Sequence, residues 1–391
     1  PDAGRAIGEA VGQILDRLGP SPDVAAVFVA GEHVGRFGEM AAVIDDLLAP
    51  GALVGSTACA LVGGSREFED CAAVTVWAGR TGGGFEARHI SGHDVQEEAG
   101  ALGALDPGDA HTLVLLADPY SFDVGAALAL WTRHAPHLNV VGGLASAGRT
   151  RDRLVAGGTV HDNGAAALLV SGDTAVVPLV SQGCRPIGRP LVITESHRNQ
   201  ITGLGGKPPA VRIGEATDAL DDDDRRLLRG GLLIGLVVDE HLAEFGRGDF
   251  LIRNIVGVER STGAIAIADE APVGATVQFH VRDASTAHDD LAELVAGVSA
   301  GAGADRDGAA ADGALLFTCN GRGHHMFSEP DHDAAALAAV TADAAVAGMF
   351  CAGEVGPIGG RSAVHGFTAS AALFRDPDSR PSRPSRDVPA D

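Results

Sequence analysis

Hydrophobic residues follow a helical spacing at the start of the chain and strand-like runs after it. Between Ala3 and Leu18 the apolar positions fall on one face of a helix, and the turn-forming residues GPSPD end that pattern. Beyond them the chain changes to short apolar runs bounded by glycine, proline and aspartate, which are typical of buried strands. The pattern predicts one cover helix followed by a protein rich in sheets.

A strand, helix, strand order occurs three times. Each time a buried β run precedes an amphipathic helix and a second β run that ends at a glycine-containing loop, as in a βαβ crossover. Paired β-rich runs such as CAAVTVWA and FEARHI follow the units. The units are VAAVFVA, MAAVIDDLL and ALVGSTA; TLVLLADP, VGAALALWTRH and NVVGGLASAG; and ALLFTCNGRG, DAAALAAVTAD and GMFCAGEVG.

This repetition predicts a mixed α/β (α+β) protein with two related lobes of mixed sheets under a helical cover, and it also allows a layered sandwich. We assign an N-terminal helix to residues 1–20, a first lobe to 21–195, a second lobe to 196–375 and a tail to 376–391. The boundary rests on the turn-rich stretch SHRNQITGLGGKPPA. We expect the proline- and serine-rich tail and the small-residue loop at 299–314 to be disordered.

The charge of the chain limits its partners. With 52 acidic and 29 basic residues, its formal charge of −23 repels phosphate backbones and anionic lipids, so we expect no nucleic-acid or membrane partner. The five cysteines form no C-x-x-C pair, and no signal peptide opens the sequence, which favours a cytoplasmic location. Adjacent His324 and His325 normally point apart, so we predict no metal site, and no motif predicts a cofactor.

Glycine-rich loops at strand ends are the first candidate ligand contacts. Gly142, Gly143 and Ser146 belong to the loop GGLASAG, whose backbone N–H groups could receive an anion at the carboxyl end of a strand. The loops match neither G-x-G-x-x-G nor G-x-x-x-x-G-K-[ST], so a dinucleotide or P-loop site has no support. Tight turns and close backbone packing are the alternative explanation.

The run FCAGEVGPIGGRSAVHGFTAS, residues 350–370, collects further chemistry. Cys351 ends a predicted strand, with Glu354 and His365 nearby in sequence. A nucleophilic thiolate needs a base and a neighbouring dipole or cation, for which His365 is the candidate base. A cysteine between apolar residues is more often a core residue, and a ligand-contacting thiol is a third option. We interpret the run as a strand-end binding loop followed by the closing hairpin of the second lobe.

Two arginine-containing stretches supply candidate cations. Arg253 and Asn254 interrupt the apolar β run GDFLIRNIVGV, where a charge must face solvent, find a partner or await an acidic ligand. Asn320 and Arg322 follow the strand of TCNGRG, where an arginine fork could take a carboxylate. In QFHVRDA the alternation predicts a solvated face that carries His280 and Arg282.

Several of these stretches together resemble the FIST family, whose name refers to F-box and intracellular signal-transduction proteins. The resemblance covers roughly residues 21–375 and rests on VVGGLAS, QGCRPIG, GDFLIRNIVGV, TVQFHVRDA, LLFTCNGRG and FCAGEVGPIGGRSAVHGFTAS. It implies an N-terminal and a C-terminal FIST lobe and a sensory role that involves small molecules, amino acids among them. Because residues 1–20 leave no room for an F-box and no output domain follows, we expect signalling through a separate protein.

Three functions remain open from the sequence. The first is a cytoplasmic sensor in which Arg253, Asn254, Asn320 and Arg322 orient a carboxylate while Cys351 and Glu354 define the other end of an amino-acid-like ligand. The second is an enzyme with Cys351 as nucleophile, His365 as base and Glu354 or Asn320 as orienting group. The third is an adaptor whose acidic surface docks a protein partner.

Overall fold

The computed structural model describes residues 2–106, 111–301 and 311–375. Its α-helices are α1 Ala3–Leu18, α2 Phe37–Leu48, α3 Val95–Gly103, α4 Val124–His134, α5 Pro209–Asp218, α6 Asp222–Leu227, α7 Ala284–Gly301 and α8 His332–Ala338. Its strands up to residue 182 are β1 Val24–Ala30, β2 Ala52–Ala58, β3 Leu61–Gly63, β4 Arg66–Phe68, β5 Ala73–Gly79, β6 Gly84–Ile90, β7 Thr112–Ala117, β8 Asn139–Leu144, β9 Leu154–Ala156, β10 Thr159–His161, β11 Ala165–Ser171 and β12 Ala175–Gln182. The later strands are β13 Cys184–His197, β14 Gln200–Leu204, β15 Leu232–Val237, β16 Phe250–Val258, β17 Ile265–Ile267, β18 Thr276–Arg282, β19 Gly313–Cys319, β20 Val346–Cys351, β21 Glu354–Ile358, β22 Arg361–His365 and β23 Thr368–Arg375.

The mixed α+β class and the three predicted βαβ units are confirmed. Strand β1 pairs in parallel with β2, β7 with β8 and β19 with β20, and α2, α4 and α8 make the respective crossovers. Each unit lies in a different sheet. In each sheet an antiparallel strand flanks the first strand of the unit: β5 beside β1, β11 beside β7 and β23 beside β19. The three sheets therefore share one plan.

Hairpins are exchanged between the sheets in a cyclic manner. The hairpin β3–β4 follows β2 in sequence but pairs with β20, β9 follows β8 but pairs with β2, and β21 follows β20 but pairs with β8. The resulting strand orders are β10-β9-β2-β1-β5, β22-β21-β8-β7-β11-β6 and β12-β23-β19-β20-β3-β4. The run 350–370 thus does form a strand-end loop and hairpin, but that hairpin extends the sheet of the second βαβ unit.

The three sheets pack their inner faces around one apolar centre. Phe28 of the first sheet meets Phe317 of the third edge to face, with ring centroids 6.3 Å apart, and Val114 of the second sheet belongs to the same cluster. Burial of a side chain of this size contributes about 1.5–3 kcal/mol to folding. The helices cover the outer faces: α1 and α2 the first sheet, α3 and α4 the second, and α7 and α8 the third.

A closed six-stranded barrel is inserted between β12 and β19. Its strand order is β13-β14-β17-β16-β15-β18, and Gly183 alone separates β12 of the third sheet from β13 of the barrel. The segment predicted to be turn-rich contains β14 because its apolar residues Ile201 and Leu204 fill the barrel interior. The predicted boundary after residue 195 falls within β13, and the division into two lobes stays a prediction.

Two details differ from the sequence-based expectations. His280 was predicted to face solvent, but it is buried inside β18, where its Nδ1 lies 3.0 Å from Gln278 O. Neighbouring Phe250 covers the ring, with centroids 4.9 Å apart. The loop predicted at 299–314 begins and ends in regular structure, since α7 continues to residue 301 and β19 starts at 313. Residues 302–310 and the predicted tail 376–391 lie outside the described residues.

Candidate functional site

The carboxyl ends of the crossover strands converge on one polar centre. Ser146, after β8, donates its hydroxyl to Phe350 O of β20 at 2.5 Å and accepts a hydrogen bond from Cys59 N, after β2, at 3.0 Å. Asn320, after β19, donates its backbone N–H to Cys351 O at 3.0 Å, and its side-chain oxygen accepts from Cys59 Sγ at 3.1 Å. All three βαβ units thus contribute to the centre, as expected for parallel strand ends.

The predicted glycines serve close packing at this centre. A Cβ on Gly142 would overlap the carbonyl oxygen of Leu115 on the adjacent strand, and a Cβ on Gly143 would overlap Cys351 Sγ. Gly142 and Gly143 also form the register pairs of β8 with β21. Their backbone groups therefore serve the sheet, and the alternative of close packing describes them better than an anion-binding loop.

Glu354 is a fully buried carboxyl group beside this centre. Its Oε2 accepts hydrogen bonds from the Thr368 backbone N–H at 3.1 Å and from the Thr368 hydroxyl at 2.8 Å. Among the described residues its Oε1 has no hydrogen-bond partner. Burial raises the pKa of Glu354 to about 8, against hydrogen bonds from Thr368 that favour the charged form. The group is therefore protonated at neutral pH and keeps an O–H donor in the interior.

Glu354 should make the stability of the fold depend on pH. The pKa of Glu354 is about 8 in the folded protein and ordinarily 4.5. Its contribution to the free energy of unfolding is therefore complete below pH 4.5 and is lost as the pH rises through 8. His280 and His365, whose pKa burial lowers to about 4, contribute a pH dependence of the opposite sign, so the test compares two proteins. We expect the free energy of unfolding of the unaltered protein to fall relative to that of Glu354→Gln between pH 5 and pH 8, as measured by urea denaturation. Exposed Glu270→Gln is the control. Glu67, whose pKa burial raises to about 7, preserves part of the slope; an unchanged profile in Glu354→Gln would contradict the assignment.

Arg322 is a fully buried cation whose charge is balanced within the chain. Its Nε and Nη2 donate to the two carboxylate oxygens of Asp333, both at 2.7 Å. Burial disfavours both charged forms, but the mutual attraction raises the pKa of Arg322 and holds the pKa of Asp333 well below its usual range. Thr318 also donates its hydroxyl to Asp333 at 2.6 Å. The forked edge of Arg322, which the sequence suggested for a ligand, is thus occupied by Asp333.

The proposed nucleophile and base are both buried and bond elsewhere. Cys351 Sγ lies 3.5 Å from Met349 O, and His365 Nε2 lies 2.8 Å from Gly356 O. Burial raises the pKa of Cys351 well above its ordinary value and lowers the pKa of His365 to about 4. A protonated thiol is a poor nucleophile, so this geometry favours the interpretation of Cys351 as a core residue.

Arg253 and Asn254 lie on the barrel strand β16, outside the polar centre. Arg253 Nε donates to Asp269 at 2.6 Å, while its Nη1 donates to Ile252 O and Val364 O, both at 3.0 Å. Asn254 is exposed on the barrel surface. Of the predicted ligand-binding residues, the structure gathers Gly142, Gly143, Ser146, Asn320, Arg322, Cys351 and Glu354. Arg253 contacts the neighbouring strand β22 beside His365, and Asn254 lies apart on the barrel surface.

A cavity of about 270 Å³ opens where the barrel meets the loop after β19. One wall carries Gly321, His325 and Met326, and the other carries Arg226 and Arg282. The Arg282 guanidinium is tethered, because its Nε and Nη2 both donate to Gly230 O. It also stacks on Phe367, with its central carbon 4.8 Å from the ring centroid. Phe367 adopts a left-handed φ of 62°, a strained conformation that functional sites often hold.

Sequence reasoning missed the cavity residues and Cys59. Arg226, Arg282 and His325 are far apart in sequence, so no local motif predicts that they share a cavity. Cys59 had a detectable signal, because it follows β2 at the position that Ser146 holds after β8 when the units are aligned on their strand registers. That comparison needs the internal repeat to be aligned residue by residue.

Fold and site together define a mixed α+β protein in which three crossover units surround one polar centre beside a cation-lined cavity. The family model described as the FIST N domain matches residues 23–207, and the one described as the FIST C domain matches residues 215–357. An uncharacterized protein of Mycobacterium bovis is 44% identical over 382 residues, which cover 96% of this chain and 97% of the relative. An uncharacterized protein of Mycobacterium tuberculosis strain H37Rv is 41% identical over the same length and coverage.

The chain belongs to the FIST family, because both domain models match it and the relatives align with it over nearly their whole length. FIST domains are associated with sensing in signal transduction. No helix in the described ranges combines the length and the apolar character needed to cross a bilayer.

Proposed function

We propose that this protein is a cytoplasmic sensor that binds a small carboxylate, of the amino-acid class, and acts in signal transduction through a separate protein. The observation that carries the proposal is the cavity beside the loop 320–326, with Arg226, Arg282 and His325 in its walls. Guanidinium groups donate charge-assisted hydrogen bonds to carboxylates. Gly230 O occupies the Nε–Nη2 edge of Arg282, so its Nη1 is the nitrogen offered to the ligand, and a volume of about 270 Å³ suits a ligand of only a few heavy atoms.

The state of Arg282 supports this use. A guanidinium held by Gly230 O and by the Phe367 ring is already ordered, so a ligand does not have to immobilise it. A Cβ built on Gly321 would lie 3.7 Å from Arg282 Nη1, which shows that this nitrogen faces the loop side of the cavity. The wall is therefore a preformed cationic surface with room for a carboxylate.

The neighbours of the cavity offer a route by which binding could be communicated. Phe367 touches both Arg282 and Gly321 and directly precedes Thr368, which holds the buried Glu354. A ligand bound in the cavity would contact the loop 320–326, which also places Asn320 at the polar centre. A sensor needs such a link between its ligand and an element whose position can change.

A thermal-shift screen against glycine, alanine, acetate, butyrate and succinate tests the proposal. A ligand at 100 times its dissociation constant adds about 2.7 kcal/mol to stability, which raises Tm by several degrees. We expect Arg226→Gln to weaken the response at least about tenfold in ligand concentration, because a charge-assisted hydrogen bond is lost.

The matched control is Arg229→Gln, which removes the same charge from an exposed position three residues away that does not line the cavity. It should leave the response unchanged. An equal loss in both variants would point to general electrostatics, and the absence of any shift across the panel would overturn the proposal.

A further inference from the structure

Arg322 has one nitrogen that the Asp333 pair does not use. Within the described residues, Nη1 has no hydrogen-bond partner although the whole side chain is buried. A buried donor without an acceptor is costly, and guanidinium groups pair readily with carboxylate oxygens. Nη1 is therefore a donor already placed for an anionic group.

The Asp333 pair holds the guanidinium so that Nη1 lies beside Gly183 and Met326. A Cβ built on Gly183 would lie 3.0 Å from Arg322 Nη1, 3.1 Å from Met326 Cε and 2.7 Å from Phe367 O. Met326 is also one of the residues that line the cavity. Met326 Cε and Arg322 Nη1 are therefore close neighbours, and Met326 is a residue that the cavity and the surroundings of Nη1 share.

Met326 is suited to move. Its side chain is unbranched, has several rotatable bonds and is only partly buried, so it can adopt another rotamer at little cost. Displacement of its methyl group would extend the cavity toward Arg322 Nη1. The cavity would then hold two cationic ends: Arg226 and Arg282 at one, and Arg322 at the other.

The charges around Nη1 allow an anion to approach. The carboxylate of Asp333 is turned to the opposite edge of the guanidinium, on Nε and Nη2. Glu354, a second carboxyl group that interacts electrostatically with Arg322, is protonated at neutral pH. An incoming carboxylate therefore meets a donor without facing a second ionised carboxylate.

We propose that the ligand is a short dicarboxylate, with one carboxylate held by Arg226 and Arg282 and the other by Nη1 of Arg322 after Met326 turns aside. This inference rests on the proposed function and deepens it by naming the ligand class. Met326 is then the specificity-determining residue, because it decides whether the second carboxylate reaches its donor.

Calorimetric titration with succinate and butyrate tests the inference, since these two four-carbon acids differ by one carboxylate. In the unaltered protein we expect succinate to bind at least about tenfold more tightly, which is the effect of one added charge-assisted hydrogen bond. Met326→Ala should strengthen succinate binding several-fold and leave butyrate binding within twofold. Met326→Phe should bring the two affinities together.

Ser328→Ala, an exposed change in the same loop, is the control and should behave like the unaltered protein. Equal affinities for succinate and butyrate in the unaltered protein would overturn the dicarboxylate assignment and leave the carboxylate sensor standing. A succinate preference that persists in Met326→Phe would show that Arg322 is not the second anchor, which also overturns the inference. Binding of neither acid, together with no response in the thermal-shift screen, would remove both proposals. If a Met326 variant does not fold, equal affinities in the unaltered protein still overturn the dicarboxylate assignment.

Discussion

Replacement of Asp333 by asparagine is expected to lower the free energy of unfolding by about 3–5 kcal/mol. The change leaves the Arg322 guanidinium charged, fully buried and without its counter-ion. It also weakens the hydrogen bonds that the carboxylate accepts from Thr318 at 2.6 Å and forms with His332 at 2.9 Å. Urea denaturation at neutral pH, followed by circular dichroism, measures the loss.

The matched control is Asp289→Asn, on the exposed side of α7, which should change stability by less than about 0.5 kcal/mol. The double variant Arg322→Met, Asp333→Leu removes both charges and should be more stable than Asp333→Asn, because uncharged side chains need no desolvation. If Asp333→Asn lost less than about 1 kcal/mol, Arg322 would have to reach solvent or another acceptor, contrary to the structure.

Replacement of Gly348 by alanine is expected to cost about 3 kcal/mol or more. Gly348 pairs with Leu316 across the parallel strands β20 and β19, and a Cβ would overlap the Leu316 carbonyl oxygen. Neither partner can yield easily, because the obstacle is backbone at the middle of a sheet. Gly55 and Gly142 hold the same register in the other two units, opposite Val27 and Leu115, and the same overlap occurs there.

The control for Gly348→Ala is Gly257→Ala in the barrel strand β16, where the nearest atom to a new Cβ lies 3.8 Å away. That change should be neutral within about 1 kcal/mol. Chemical denaturation of both variants gives the comparison. If the two variants had the same free energy of unfolding, β19 and β20 could move apart to admit the new methyl group at no cost. That result would contradict the close packing inferred for all three units.

Local patterns in the sequence predicted the elements well because apolar runs and amphipathic helices are encoded within a few residues. The three βαβ units followed from that signal. The exchange of hairpins did not, because the partner of β21 is β8, and nothing in the hairpin sequence distinguishes that edge from another. Strand pairing over such separations is a property of the whole assembly.

The polar centre was predictable in outline because parallel strands end at one edge, so Ser146, Asn320 and Cys351 had to lie near one another. The roles of its residues were less predictable. A glycine that allows close packing and one that presents N–H groups look alike in a sequence, as Gly143 shows. Likewise, the sequence does not show which acidic residues pair with Arg253 and Arg322, and only the structure identifies Asp269 and Asp333 as their partners.

The cyclic exchange of hairpins has a consequence for synthesis on the ribosome. Strand β8 receives its neighbour β21, and β12 receives its neighbour β23, only after about half of the chain has followed. Until residues 354–375 emerge, β8 and β12 expose unpaired backbone edges and apolar faces, which are the surfaces that promote aggregation of nascent chains. Folding of this protein should therefore be largely post-translational and dependent on chaperones, and a release from the ribosome before residue 354 should yield an insoluble product.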